Sequence, residues 1–451
     1  MYFNVVAQRS RASGEVRPAR LVALLALSLS STALDAATFN VTTAAELSAA
    51  IAASDPGDFI YLATGNYGTI TIKDQSRTGA PVTLMPAAGA APVLTGLSIS
   101  GSSGFAVIGL RVSGTRHPVV GVASSSDIRL GGLRIEGAVP NKDAWDDPNS
   151  GLWIRNSQRV SISNSRITNT RTAIYMQRSD GVIVADTTIE YTREGINVAA
   201  TNRLLLRRNR FQIFQPNYAV GDHADAIQFW TTNETSGSSN VVIADNYFAL
   251  GGPRAVQGIF VAGAGDPESA PDLMHEKVEV RNNIYYGSAR NGLRLGGVRR
   301  GFVHRNTLVA SPHADLNSTT APTEDGRTSG GLQPWVAQMR AEQGRTERNI
   351  APLFSTEPTD HVMVDNLKLY DSKTKKGEPY EATFAARPTA DIPALTAFRT
   401  LDGSLARSMG AGATPPGKAG IQSSSLSTVR QQANWYQDQF AKFDSWFSPG
   451  F

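Results

Sequence analysis

A chain of 451 residues with 41 glycines, no cysteine and a formal net charge of +4 excludes several classes before any motif is read. Without cysteine there is neither a disulfide framework nor thiolate chemistry, and no residue type is concentrated in a low-complexity tract. The four arginines of the first 36 residues outweigh Glu15 and Asp35, which leaves a remainder too close to neutral for bulk attraction to nucleic acid or a membrane surface.

The N-terminus has the order of a secretory leader. Arg9, Arg11, Arg17 and Arg20 precede an apolar run from Leu21 to Leu29, and the small residues Ser31, Ala33, Ala36 and Ala37 follow. The run is shorter than the roughly 20 residues that a membrane-spanning helix needs. Residues 1–37 are therefore expected to be a signal peptide, with the remainder exported from a bacterial cytoplasm to the periplasm or beyond.

Next comes an alanine-rich stretch, Thr43 to Ala53, with Leu47 and Ile51 four apart and a stop at Asp55-Pro56-Gly57-Asp58. Its spacing predicts a short amphipathic helix. Phe59 to Leu62 then reads as a first strand, with a turn at Gly65-Asn66-Tyr67.

From Ser150 to Ala310 one pattern returns six times: a small residue followed by alternating apolar residues. The copies begin at Gly151, Ala173, Gly195, Ala226, Gly258 and Gly292, the first three spaced by 22 residues. After each copy comes a second apolar alternation, starting at Val160, Val182, Leu204, Val241, Val278 and Phe302. It closes on Ser165, Thr187, Asn209, Asn246, Asn283 or Asn306. Repeats of this period with strand periodicity predict a solenoid whose coils bury their apolar faces on one another. Coils about 4.8 Å apart would let the four asparagines hydrogen-bond along the axis.

These repeats resemble those of the pectate-lyase-like superfamily of right-handed parallel β-helices. The resemblance implies an all-β fold, a single right-handed parallel β-helix with an N-terminal capping helix and a C-terminal helix. The run Ala44-Ala45-Glu46-Leu47 through Gly57-Asp58 to Gly65-Asn66-Tyr67 is similar to the N-terminal cap and first coil of the chondroitinase B and alginate lyase family, over roughly residues 38–112. The chain has no Asn-Gly-Glu block of the kind that family sets beside its calcium. Gly296-Gly297 stands where the family would have an arginine and a histidine. No catalytic residue is carried over.

The expected organisation is a signal peptide at 1–37, a β-helix domain at 38–412, and a linker with a C-terminal helix at 413–451. Spacing stretches to 37 residues between Asn209, Asn246 and Asn283, which predicts loop insertions at about 212–225, 231–240 and 263–276. A further insertion is read at 311–360, with Trp335 to Gln343 as a short helix. The inserts are expected to leave one edge of the solenoid and wall a groove. Ser427 to Asp444, with Trp435, Tyr436, Phe440 and Phe443, reads as an amphipathic helix that docks on the solenoid.

Stacking in register places outward residues in columns. One column reads Trp153, Tyr175, Asn197, Gln228, Phe260, Arg294; another reads Ser150, Thr172, Glu194, Asp225, Gln257, Asn291; the one before it includes Arg171, Arg193 and Arg290. The densest cluster is Asp222-His223-Ala224-Asp225, where an insertion rejoins a strand. Carboxylates on adjacent coils repel, so one holds a proton or a cation lies between them. The candidate catalytic residues are His223, Asp222, Asp225, Arg290 and Arg294. Candidate substrate-binding residues are Trp153, Arg171, Tyr175, Arg193, Asn197, Gln228, Arg254 and Gln257. Glu194, Asp222 and Asp225 are the expected ligands of a calcium ion.

This mixture of aromatic, acidic and basic residues suits an acidic polysaccharide. The reading is a lyase that cleaves a uronate polymer by β-elimination, with His223 the easier base and Arg294 kept by the habit of the family. The alternatives are a glycoside hydrolase, although the adjacent aspartates and Gly-His-Gly block of polygalacturonases are absent, a C5-epimerase, or a polysaccharide-binding solenoid without catalysis. The sequence loosely resembles the Asp-Pro-His-Asp of alginate epimerases at Asp222-His223-Ala224-Asp225.

Overall fold

The computed structural model describes residues 36–137, 149–218, 222–316, 333–356, 360–370, 376–417, 419–421 and 425–449. Nearly all of the expected leader lies outside these residues, so the cleavage expectation is not addressed by the fold. Among the described residues no helix is long and apolar enough to cross a membrane.

Each coil contributes three short strands to three parallel ribbons. The first ribbon holds Ser150–Arg155, Asp225–Trp230, Gln257–Val261, Leu293–Gly296 and Trp335–Met339, and the second holds Gln158–Ser163, Asp180–Ala185, Asn202–Arg207, Ser239–Ala244 and His275–Arg281. The third contains Arg134–Glu136, Arg210–Phe214, Tyr247–Leu250, Ile284–Gly287 and Thr307–Ala310. Strands Arg166–Gln177 and Thr188–Ala199 run from the third ribbon into the first, so those two join as one 21-stranded sheet beside the 13-stranded second ribbon. All strand pairings between coils are parallel, as the repeats predict.

The chain turns between the second and third ribbons through one left-handed residue per coil. Asn164, Asp186, Arg208, Asp245, Asn282, Arg305 and Arg348 all have φ near 50°. A side chain in that conformation costs about 1 kcal/mol or more, which the residue after it offsets. Asn209 donates its side-chain amide to Asn246 at 3.1 Å, Asn246 to Asn283 at 2.9 Å, and Asn283 to Asn306 at 3.0 Å. The ladder continues to Asn349 and Asn366, two coils beyond the four residues expected. A second ladder, of hydroxyls, crosses the turn between the first and second ribbons: Ser102, Ser125 and Ser157 each donate a backbone N–H to the hydroxyl of the next coil.

The N-terminal cap is as expected. Helix Ala44–Ala53 starts in a capping box of Thr43 and Glu46 and buries Leu47 and Ile51 over the first coil. An edge strand, Thr38–Val41, precedes it and pairs with Phe59–Leu62.

Two outer faces are covered by the C-terminal part of the chain. Helix Leu426–Asp438 lies on the second ribbon, where Val429 and Ala433 meet Ala106 and Ile108. The following 3-10 turn, Gln439–Trp446, brings Phe440 and Trp446 onto Ile183, Leu205 and Val242 together with Tyr436. At Gly132, with φ +61°, a Cβ would stand 2.8 Å from Val429, so the helix approaches closely where no side chain intervenes. Phe384, Phe398 and Ala406 cover Tyr247, Ile284 and Tyr286 of the third ribbon. Among the described residues no such apolar cluster covers the outside of the first ribbon.

Three expectations change. Trp335–Met339 is a strand of the first ribbon, in register with Leu293–Gly296, because its alternation buries Val336 and presents Trp335 outward. The stretch read as an insertion at 311–360 thus returns to the coil, with further strands at Arg345–Glu347, Ile350–Ala351 and Leu353–Thr356. The expected C-terminal helix divides, since Lys442 breaks helical geometry. The inserts do not share one edge either: the described residues 215–218 and 222–224 precede a strand of the first ribbon, whereas 231–238 and 262–274 follow one.

Candidate functional site

The columns fall where the repeat places them. Trp153 pairs with Tyr175, Tyr175 with Asn197, Asn197 with Gln228, Gln228 with Phe260, and Phe260 with Arg294. Likewise Ser150 pairs with Thr172, Thr172 with Glu194, and Asp225 with Gln257. All of these lie on the face that the tail leaves uncovered.

Residues at the start of two neighbouring strands form a dense ionic centre. Asp222 accepts from Arg193 Nε at 2.7 Å and from the backbone N–H of Asn217 at 3.2 Å. Arg193 also reaches Glu194 at 2.8 Å, and Glu194 accepts from the Asn197 side-chain amide at 2.7 Å. On the next coil His223 Nδ1 lies 3.3 Å from Asp225 Oδ2. The Asp225 side chain is fully buried, whereas that of His223 is 55% exposed.

Burial sets the protonation. Loss of solvent pushes the Asp225 carboxyl up to about 6, reinforced by the negative charge of Glu194 and opposed by His223. Burial also raises Glu194, with Arg193 and Asn197 pulling against it. His223 is raised chiefly by its hydrogen bond to Asp225, against partial burial. The repulsion foreseen between carboxylates on adjacent coils is thus eased by the Arg193 cation and by the His223 imidazole that faces Asp225.

That arrangement does not fit the expected calcium site. Arg193 stands between Glu194 and Asp222, and among the described residues no three His, Asp or Glu side chains converge to hold a metal ion. The trio Glu194, Asp222 and Asp225 is corrected to two arginine-held carboxylates and one partner of a histidine.

The other expected residues divide into separate groups. Arg294 stacks on Phe260 at 4.8 Å and Arg290 on Trp335 at 4.1 Å, while Asn291 donates to Gln257 and accepts from Trp335 Nε1 at 2.9 Å. These lie on the coils beyond Asp225, about 5–10 Å along the axis, rather than with His223. Arg254 bonds the Pro216 carbonyl at 3.2 Å and lines a cavity of about 500 Å³ with Tyr191, Phe214 and Asp391, beside the third ribbon. Arg171 is exposed, one coil before Arg193. Gln228 lies half-buried between Asn197 and Phe260.

A row of rings continues the face toward the N-terminus. His117 meets Trp153 edge-on at 4.6 Å, Trp153 meets Tyr175 at 5.5 Å, and Tyr175 meets Trp230 at 5.7 Å. The Arg155 guanidinium lies over Trp153 at 4.1 Å and over Tyr175 at 5.1 Å. Sequence reasoning missed His117, Arg155 and Trp230. Arg155 and Trp230 share the next outward column with Gln177 and Ala199, so the register held the signal for both.

Residues 95–309 match a family model described as a right handed beta helix region, in agreement with the fold. The structure is similar to that of pectate lyase Pel9A, with 13% identity and a TM-score of 0.39 over 82% of this chain and 91% of that one. It is similar to an alginate lyase from Paenibacillus sp. str. FPU-7, with 15% identity and a TM-score of 0.38 over 73% and 99% of the two chains. It is also similar to PfbA, a surface adhesin of Streptococcus pneumoniae, with 11% identity and a TM-score of 0.43 over 72% and 86%. A search of curated proteins finds no match. The chain is a right-handed parallel β-helix. A fold does not by itself name an activity, which has to be argued from the site.

Proposed function

We propose that the uncovered face binds a uronic-acid-containing polysaccharide and that the centre at His223 cleaves it by β-elimination. The observation that carries this reading is the contrast in exposure. Of the titratable side chains at the centre, His223 reaches solvent, while the side chains of Asp222 and Asp225 are fully buried and that of Glu194 is 6% exposed. Glycoside hydrolysis needs two carboxyl groups at the scissile bond, and these lie beneath the surface. Elimination needs one accessible proton carrier near positive charge.

With Nδ1 turned to Asp225, Nε2 of neutral His223 takes the proton from the carbon beside the sugar carboxylate. The electron pair forms the carbon–carbon double bond as the glycosidic carbon–oxygen bond breaks. The departing oxygen then takes the proton back from the imidazolium. Arg171 and Arg193 supply positive charge toward the substrate carboxylate, and no metal is required in this scheme. Export, suggested by the leader-like residues 1–37, suits an enzyme that meets polymers outside the cytoplasm.

The test is to incubate the protein with a panel of uronate polymers, with and without a chelator, and follow ultraviolet absorbance. Unsaturated ends are expected in both conditions, and His223→Ala should lower the rate by about 10²- to 10⁴-fold. New reducing ends without absorbance would replace elimination by hydrolysis. Inverted uronates without chain cleavage would make the protein an epimerase, and binding with no product would leave a non-catalytic solenoid.

A further inference from the structure

Arg155 differs from several arginines of the neighbouring coils that are tied to a carboxylate. Arg159 pairs with Asp127, Arg178 with Glu234, Arg193 with Asp222, and Arg203 with Asp180. Among the described residues no carboxylate lies within ion-pairing distance of Arg155. Two aromatic rings hold its guanidinium instead, and a stacked guanidinium keeps its charge while losing conformational freedom in advance.

The groups around it are donors. Among the described residues, Arg155 Nε and Trp153 Nε1 are both buried without hydrogen-bond partners. His117 accepts the Ser150 backbone N–H on Nδ1 at 3.0 Å, so in its neutral form the ring proton sits on Nε2, at an exposed residue. Burial and the nearby Arg155 charge both lower the pKa of His117, which favours the neutral ring. Past Arg155, the tilted rings of Tyr175 and Trp230 form a ledge. A fixed cation among unpartnered donors, beside aromatic faces, matches an anionic substituent on a sugar ring.

We infer that Arg155, Trp153 and His117 form an anion subsite for a sugar carboxylate of the same polymer, well away from the bond that is cleaved. The subsite rests on the polysaccharide reading proposed above. Arg155 lies three coils before Trp230, and its column is five residues along the strand from that of Asp225. At about 4.8 Å per coil and 3.3 Å per residue the two sites are roughly 20 Å apart. One bound chain would span them only if it is several sugars long, with its charges spaced to meet both.

The test uses the full chain carrying His223→Ala, so that binding is read without turnover. Titration calorimetry compares hexamers of galacturonate, mannuronate, guluronate and glucuronate with their carboxyl-reduced counterparts. Adding Arg155→Gln should weaken the best acidic hexamer about tenfold or more and leave its reduced counterpart unchanged. Adding Trp153→Phe, which keeps a ring and removes one donor, should weaken it severalfold. Equal binding of acidic hexamers with and without Arg155→Gln, or no preference for acidic over reduced sugars in the parent, would overturn the subsite. If charge preference follows Arg155 while no polymer yields unsaturated ends, the subsite stands and the elimination reading falls.

Discussion

The outer faces of the first and second ribbons ride on the same coils and the same turns, yet their outward residues are opposites. On the second ribbon they are Ala106, Ile108, Ile183, Leu205 and Val242, all buried under the C-terminal helix and the turn after it. On the first they are Trp153, Tyr175, Asn197, Gln228, Phe260 and Arg294, and no apolar cluster covers them among the described residues. A solenoid has no need of a bare face for its stability, since each coil already buries its inward side chains on its neighbours. The rings, amides and charges left on that face are therefore the place to look for ligand chemistry.

The comparison breaks most severely if the covering is removed. Tyr436 is buried and donates to Asp186, whose carboxylate also receives Arg208 at 2.7 Å. Tyr436→Ala should cost about 3–5 kcal/mol of stability, read by denaturant titration, while the turnover of the remaining folded protein stays within twofold. Loss of turnover without loss of stability would mean that the covered face, too, belongs to the site.

A somewhat smaller effect sharpens the boundary between the faces. His275 sits at the turn from the first ribbon to the second, accepting the Ser238 N–H on Nδ1 at 3.0 Å and donating from Nε2 to the Ala262 carbonyl at 3.1 Å. Complete burial lowers its pKa to about 4. The unfolded chain takes up a proton below about 6.5 that the folded chain refuses, so this contribution is intact above that pH and is lost as pH falls toward 4. Stability should drop by about 3 kcal/mol across that interval, and His275→Gln should flatten the slope in denaturation curves taken at pH 7 and 4.5.

Much of this was legible in the sequence. The unbroken apolar runs Val182-Ile183-Val184-Ala185 and Leu204-Leu205-Leu206 are what a strand covered on both sides requires, and the alternation at Gly151 to Ile154 fits one covered face. The repeat also gave the columns, because a coil spacing fixes which side chains are neighbours. It did not give what those side chains bond to. Arg193 binds Asp222, 29 residues away and outside the repeat, and no periodicity encodes that contact. His117 lies on an entry turn outside the repeat, so nothing in the pattern brings it to Trp153. The expected helix at Trp335 failed because one strand following a long non-repeating stretch has too few copies nearby to show its register.

The pH dependence of kcat/KM for the parent and Asp225→Asn tests the role of His223 most directly. As a base, His223 acts when neutral, so the rate should rise with pH through a midpoint above 6.5, the ordinary histidine value, because Asp225 raises it. Removing that carboxylate should move the midpoint down, toward or below 6.5. A midpoint that stays in place, or a rate that falls as His223 loses its proton, would contradict the account.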